Sequence, residues 1–225
     1  MFGSNKYISS EEIKKLKEEQ KELAKKVVIK KPDFEIKKIA GCDSSFIGDK
    51  EILSFIVIFN FPSFEILETQ HTISEVTLPY IPGLLAFRES PNILKTYEKL
   101  QNEPDILMVD GHGISHPRGL GIASHIGVLL NKPSIGVAKK VLVGKFEEPC
   151  LEKGCKTPLI YKDKHIADAL RKKEKVKPVF ISVGNLFDQQ SAVNLALQTS
   201  VKYRLPEPVR ITDQLTKSLK LRSKY

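Results

Sequence analysis

Four charged residues stand where local regular patterns stop. Asp43 follows the apolar run 39–42, Asp110 follows 106–109 and Lys139 follows 133–138, while Glu89 sits beside the Ser90-Pro91 break in a helical stretch. Short continuous apolar runs mark strands buried on both faces of a sheet. In open α/β sheets, chemistry collects at the carboxyl ends of such strands. Brought together, Asp43, Glu89 and Asp110 would repel one another unless a divalent cation neutralised them. Mg2+ fits such a set best, since it takes a few carboxylates plus waters and a substrate phosphate, with Mn2+ as a substitute. Its work would be to activate water and to steady the leaving oxygen in an in-line phosphodiester displacement. Lys139 would add positive charge at the scissile phosphate. His116 and Arg118, in the loop after Asp110, could hold backbone phosphates.

Positioning these groups is the task of the surrounding elements. Ser9 and Glu12 form a capping box that opens a helix to about Val27. Its narrow apolar stripe, Ile13, Leu16, Gln20, Leu23 and Val27, suits a cover on the domain edge. A strand at 39–42 stops at Asp43, and the runs 52–61 and 64–73, joined across Pro62-Ser63, should pair as an antiparallel hairpin. Three antiparallel strands followed by α/β alternation with parallel strands is the layout of ribonuclease H-like domains, a mixed sheet flanked by helices. There the first strand lies beside the strand that follows the first helix, which places Asp43 next to Asp110. Residues 84–89 read as a short helical piece that Ser90-Pro91 breaks or restarts, leaving Glu89 at a helix discontinuity.

The stretch 104–140 then supplies a strand, the glycine-rich Gly111-His112-Gly113, a helix over 120–130 and a second buried strand. Its glycines would let a ligand approach the backbone closely. His125, inside the helix, reads as a satisfied core or surface histidine. Beyond Lys139 the chain is irregular. Short strands follow at 159–161, 166–170 and 178–183, joined by basic turns. A helix at 188–199 comes next, and a last helix from about Ile211 has Asp213 in its first turn.

A chain of 225 residues without repeat or low-complexity linker is expected to form one domain, 1–225. No apolar run approaches a membrane span and no signal-peptide core is present, so a cytoplasmic protein with no membrane partner is expected. The odd count of three cysteines, Cys42, Cys150 and Cys155, suggests a reducing compartment. The net charge of +9 lies mostly at the two ends of the chain, in residues 1–31 and 210–225. Such clusters suit a polyanion such as nucleic acid, or simply a lysine-rich solvated surface.

At these residues the sequence resembles the endonuclease V family, deoxyinosine-directed nucleases of the ribonuclease H-like superfamily. The match runs through IAGCD ending at Asp43, PYIPGLLAFRE over 79–89 and VDGHGISHPRGLGIASH over 109–125. It continues in PSIGVAKK over 133–140 and RLPEPVR over 204–210, with little recognisable between 143 and 177. The resemblance implies that Asp43 and Asp110 are metal ligands, that Glu89 completes the acidic site and that Lys139 contacts the scissile region. Asp213 matches a position where the family places an acidic or imidazole group at the site. Pro79, Tyr80, Ile81 and Pro82 would be a wedge pushed into the helix beside the damaged base. A proline-framed Tyr-Ile tip has the stiffness and apolar surface that such a wedge requires.

Backbone groups near Gly83, Leu85, Gly111, Gly113 and Gly121 could form a pocket for hypoxanthine, whose O6 acceptor and N1–H donor reverse adenine's pattern. The resemblance further implies a monomer that binds deoxyinosine-containing DNA and starts its repair. Incision would fall at the second phosphodiester bond on the 3′ side, leaving a 3′-hydroxyl and a 5′-phosphate. Inosine-containing RNA remains open as a substrate, because nothing in the sequence reports a 2′-hydroxyl contact. A junction or excision nuclease on the same scaffold, and a non-catalytic reader of modified nucleic acid, are the alternatives. A dinucleotide-binding fold fits poorly, because the third fingerprint glycine would fall at His116.

Overall fold

The computed structural model describes residues 8–222. The ends of the expected 1–225 domain, and part of each basic terminus, lie outside the described residues. The first helix, α1 (Ser10–Lys25), is opened by the expected capping box: the Glu12 N–H donates to Ser9 Oγ, and the Ser9 N–H donates to Glu12. Then come β1 (Lys38–Ile47), β2 (Glu51–Asn60), β3 (Ile66–Glu75), α2 (Leu85–Tyr97), β4 (Ile106–Asp110), α3 (Ile122–Leu129) and β5 (Ser134–Ala138). The chain finishes with β6 (Lys156–Tyr161), β7 (Lys164–Leu170), β8 (Val179–Asn185), α4 (Gln189–Gln198) and α5 (Glu207–Arg222).

All eight strands join one sheet in the order β3-β2-β1-β4-β5-β8-β7-β6. β1, β2 and β3 are antiparallel, and β1, β4 and β5 are parallel neighbours, the ribonuclease H-like arrangement. Parallel strands beyond β5 do not follow. β8 runs antiparallel to β5, and β7 and β6 continue as an antiparallel meander, so the sheet is parallel only at its centre. One face packs against α4 and α5 through Ile39, Met108, Val137, Val183, Val193 and Val209. On the other face, Cys42, Ile56 and Val109 pack with Ala86 and Ile93 of α2 and Ala123 and Ile126 of α3. Burying strands on both faces is what the continuous apolar runs foretell.

Three of the boundaries that differ from the sequence reading bear on the site. β1 does not stop at Asp43 but pairs with β2 as far as Ile47, because Ser44 and Ser54 share a hydrogen bond across a polar stretch of ladder. α2 is not broken at Ser90-Pro91. It runs through Pro91, pinned by Asn92, whose amide donates to the carbonyls of Ile52 and Thr72 and to Ser54 Oγ. Glu89 therefore lies within a continuous helix. α5 begins at Glu207 with Pro208 in its first turn, where a missing N–H costs nothing, so Asp213 falls in the second turn.

The cysteine reading also changes. Cys150 and Cys155, with Cα atoms 5.6 Å apart, are joined in a disulfide, so the odd count is one pair plus the buried thiol of Cys42. Among the described residues, no helix is long and apolar enough to cross a membrane.

Candidate active site

Parallel pairing of β1 and β4 ends at Cys42 opposite Val109, which sets the next residues, Asp43 and Asp110, side by side. Side chains alternate across a strand, so Cys42 enters the core under α2 and α3 while Asp43 turns to the face of α5. That helix approaches β1 unusually closely. A Cβ on Gly41 would lie 2.3 Å from the Pro208 carbonyl oxygen and 2.4 Å from Thr212 Oγ1, so only glycine admits the contact. One turn further along α5, Asp213 reaches the same point. A ligand oxygen from each of Asp43, Asp110 and Asp213 lies within 4.8 Å of the others.

Lys139, one residue beyond β5, spans two of them, its Nζ 2.5 Å from Asp110 Oδ2 and 3.0 Å from Asp213 Oδ1. Lys217 takes the other oxygen of Asp213 at 2.6 Å. The electrostatics record the crowding. Burial, then the Asp110 charge, raises the Asp43 carboxyl to about 7, despite a hydrogen bond from Thr216. Glu89 is raised to about 8 by burial and by the charges of Asp43 and Asp110. Burial also raises Asp110, although Lys139 pulls the other way. Burial would raise Asp213 too, but hydrogen bonds from Lys217 and Lys139 bring it below the usual range. Burial opposes charge on Lys139, yet Asp110 and Asp213 hold its pKa above that of a free lysine.

Three hard oxygen donors at this spacing, two of them with raised pKa, suit a divalent cation that would relieve their mutual repulsion. Mg2+ or Mn2+ chemistry fits the donor set. Asp43, Asp110 and Asp213 would hold the ion; Asp213 joins the two ligands that the sequence reading named. Glu89, on α2, is not one of these three, but its carboxyl is near enough to feel the charges of Asp43 and Asp110, which with burial push it up. Beside it, the Arg88 guanidinium stacks 4.0 Å over the ring of Phe46 on β1, with its Nε buried and unpaired. The sequence reading passed over Arg88, Lys217 and Thr216; only spacing along α5 from Asp213 could have signalled the latter two.

The recognition candidates sit on the α2 and α3 side. The turn that carries Pro79, Tyr80, Ile81 and Pro82 precedes α2, and Tyr80 stands out with 65% of its surface exposed. Gly83 closes the turn at φ +79°, where a side chain would be strained and would meet the Arg118 guanidinium. Leu85 is exposed at the start of α2. Gly113 and Gly121, by contrast, are packed inside. The Gly113 N–H donates to Ser182 Oγ, and its carbonyl accepts from the Gly121 N–H. Those groups are spent, so neither is placed to read a base. Gly111 gives its N–H to the Val137 carbonyl and keeps partial exposure.

His116 and Arg118 are likewise not free phosphate donors. His116 is buried, and its Nδ1 accepts from the Arg118 N–H. The Arg118 guanidinium donates to Gln20 Oε1 on α1 and to the Gly83 carbonyl, clamping the wedge turn to the glycine loop. Gln20, read as part of an apolar stripe, thus carries a polar lock, its amide donating to the Leu120 carbonyl. His125 is core but not satisfied: its ring stands edge-on to Phe87 at 4.7 Å, with Nδ1 unpaired.

Comparison with known proteins bears on these groups as a set. Residues 21–214 match the family model for Endonuclease V. The Endonuclease V of Dictyoglomus turgidum is 46% identical over 200 residues, covering 89% of this chain and 87% of that protein. The crystal structure of Endonuclease V from Streptomyces avermitilis superposes with a TM-score of 0.90 at 32% identity, covering 98% of this chain and 97% of the other. Endonuclease V of Ciona intestinalis, crystallised with a 24-mer DNA containing an inosine followed by a ribo-adenosine, gives 0.83 at 27% identity. That match covers 96% of this chain and 100% of the other.

Proposed function

The chain belongs to the endonuclease V family, and we propose that it incises DNA beside deoxyinosine with the help of a divalent cation, Mg2+ for preference, starting repair of deaminated adenine. As an endonuclease it hydrolyses phosphodiester bonds. The observation that carries the metal reading is the convergence of Asp43, Asp110 and Asp213 within 4.8 Å, bridged by the Lys139 ammonium. The lesion reading draws on the inosine-containing DNA bound by the Ciona protein.

In this reading a bound cation supplies an activated water and charge stabilisation at the phosphorus. Asp43, Asp110 and Asp213 hold that cation. Lys139 places positive charge against the phosphoryl oxygens as negative charge builds on them. Glu89, its carboxyl raised by burial and by the charges of Asp43 and Asp110, completes the acidic site beside the cluster. Tyr80 and Ile81 enter the stack as a wedge, and the surface between Gly83, Leu85 and Gly111 receives the displaced base. The chemistry falls on the phosphodiester and leaves the base attached to its sugar. Cleavage falls at the second phosphodiester bond 3′ of the lesion, giving a 3′-hydroxyl and a 5′-phosphate. The protein acts as one domain and as a monomer.

A gel assay with inosine placed once in a DNA duplex, and once in the same duplex with a ribonucleotide 3′ to it, tests the reading. Incision of both inosine duplexes in Mg2+, with matched undamaged DNA left intact, is expected. Equal cutting of undamaged or branched DNA would favour a general nuclease instead. The ribo-adenosine in the Ciona complex gives the RNA-containing arm its weight as a second reading. Preference for inosine in an all-RNA strand would move the working substrate to RNA.

A further inference from the structure

α5 carries Asp213, Lys217 and Lys220 at four- and seven-residue spacing, which aligns them on one face of the helix. Its other faces are occupied. Ile211, Leu215 and Leu219 pack on Leu53, Phe55, Val57 and Phe59 of β2, and Thr212 and Thr216 are buried. The aligned face begins at the carboxylate cluster, where Lys217 Nζ holds Asp213 Oδ2 at 2.6 Å. It ends where Lys220 Nζ meets Ser45 Oγ at 3.0 Å, two residues beyond Asp43 on β1. The two amines thus lead outward from the cluster along the end of the strand that bears Asp43.

An ion pair as open as that of Lys217, whose side chain is 65% exposed, adds little to stability. Holding α5 in place does not account for it. Asp213 has two oxygens, one on Lys139 and one on Lys217. A divalent cation among the three carboxylates competes with both ammonium groups for those oxygens. A lysine released from Asp213 stays at the rim of the cluster, ready for an anion that arrives with the substrate. Lys220 meets only a neutral hydroxyl there, and no carboxylate contact competes for it in the described structure.

We propose that Lys217 and Lys220 bind backbone phosphates of the incised strand next to the scissile one, so that α5 supplies both a metal ligand and the cations that track the strand away from it. The inference rests on the nuclease reading above. Axial rise between the two residues is about 4.5 Å, and two flexible stems extend that reach to separate phosphates. Such contacts fix register on the strand and carry no base information.

Binding of a fluorescent inosine duplex is followed by anisotropy over a KCl series in Ca2+, with a gel reporting any incision. Lys217→Gln and Lys220→Gln are each expected to lower the slope of log affinity against log salt by about 0.9. The loss of affinity should be equal for inosine-containing and undamaged duplexes, with melting temperatures unchanged. A neutral methylphosphonate at one or two positions flanking the scissile bond should weaken the wild type and have no further effect on the double variant. Unchanged salt slopes, or an effect of Lys217→Gln confined to the Mg2+ concentration dependence, would overturn the inference by reducing Lys217 to a counter-charge for Asp213. If the wild type itself neither prefers nor incises inosine DNA, the nuclease reading fails; a normal wild type with unaltered variants refutes the α5 track alone.

Discussion

At the ends of β1 and β4 the chain gathers Asp43, Asp110 and Asp213 within 4.8 Å and leaves their repulsion only partly offset by Lys139 and Lys217. A loop away, between β4 and α3, it gathers His112 and His116 with His125 behind them, and burial holds all three imidazoles down at about 4, uncharged at neutral pH. One region is a set of charges that a cation and a phosphate would complete. The other holds uncharged imidazoles, closely packed and locked by the Arg118 guanidinium and Gln20. The contrast teaches how differently the fold treats polar groups at two ends of one loop: the carboxylates keep charge that an incoming cation would offset, while the imidazoles and loop glycines are already satisfied or neutralised within the protein.

The largest expected effect lies on the charged side. Asp110→Asn should retain fold and DNA binding while cleavage falls by at least 10²- to 10³-fold, on the order of the loss of one essential electrostatic group. Single-turnover rates beside an anisotropy isotherm check this, and cleavage by the wild type undiminished by chelator would break the comparison. On the neutral side, Tyr80→Ala should cost preference for inosine over undamaged duplex by roughly 1–3 kcal/mol, the worth of a base–aromatic stack. Its salt slope should match the wild type; a changed slope with unchanged base preference would put Tyr80 on the backbone. Arg118→Ala removes two charge-assisted hydrogen bonds from the wedge clamp. Stability should fall by about 1–3 kcal/mol in denaturant titration, with no change in the salt slope of binding. A reduced slope would restore Arg118 as a phosphate contact.

The smallest effect sharpens the contrast through pH. Asp43 and Glu89, raised to about 7 and about 8, keep protons in the folded state that the unfolded chain has released. Their stabilisation is therefore full below the ordinary carboxylate range and is lost as pH rises through those values. The histidines work in the other direction. Lowered from 6.5 to about 4, they contribute stability that is lost as pH falls between those values. Melting temperature against pH should thus decline on both sides for the metal-free protein. Mg2+ should lift only the alkaline limb, because cation binding favours the deprotonated carboxylates. An alkaline limb indifferent to Mg2+ would separate Asp43 from the metal site.

The sequence made the carboxylate cluster readable because its signals are local. Apolar runs end at Asp43, Asp110 and Lys139, and parallel pairing of β1 with β4 follows from the order of elements. Asp213 was harder to place, since its contribution depends on Gly41 letting α5 press against β1, a contact between distant parts of the chain. Pro91 misled for a similar reason: the Asn92 hydrogen bonds to β2 and β3 keep α2 intact. The loop residues were read by chemical type alone. His116, Arg118, Gly113 and Gly121 look like ligand groups until their partners in α1, β8 and the loop itself are seen to occupy them. β8 runs against β5 because the chain returns through the β6–β7 meander instead of a helix, and the run 178–183 gives no sign of direction.

The central claim, that base and bond are handled at separate places, is tested most directly by mapping the cut. A duplex with one inosine, labelled at either end of the modified strand, is incubated with the protein and Mg2+, and its products are resolved against a sequence ladder. The account predicts incision at the second phosphodiester bond 3′ of inosine, with a 3′-hydroxyl, a 5′-phosphate and hypoxanthine still attached. Free hypoxanthine, or incision only 5′ of the lesion, would contradict it.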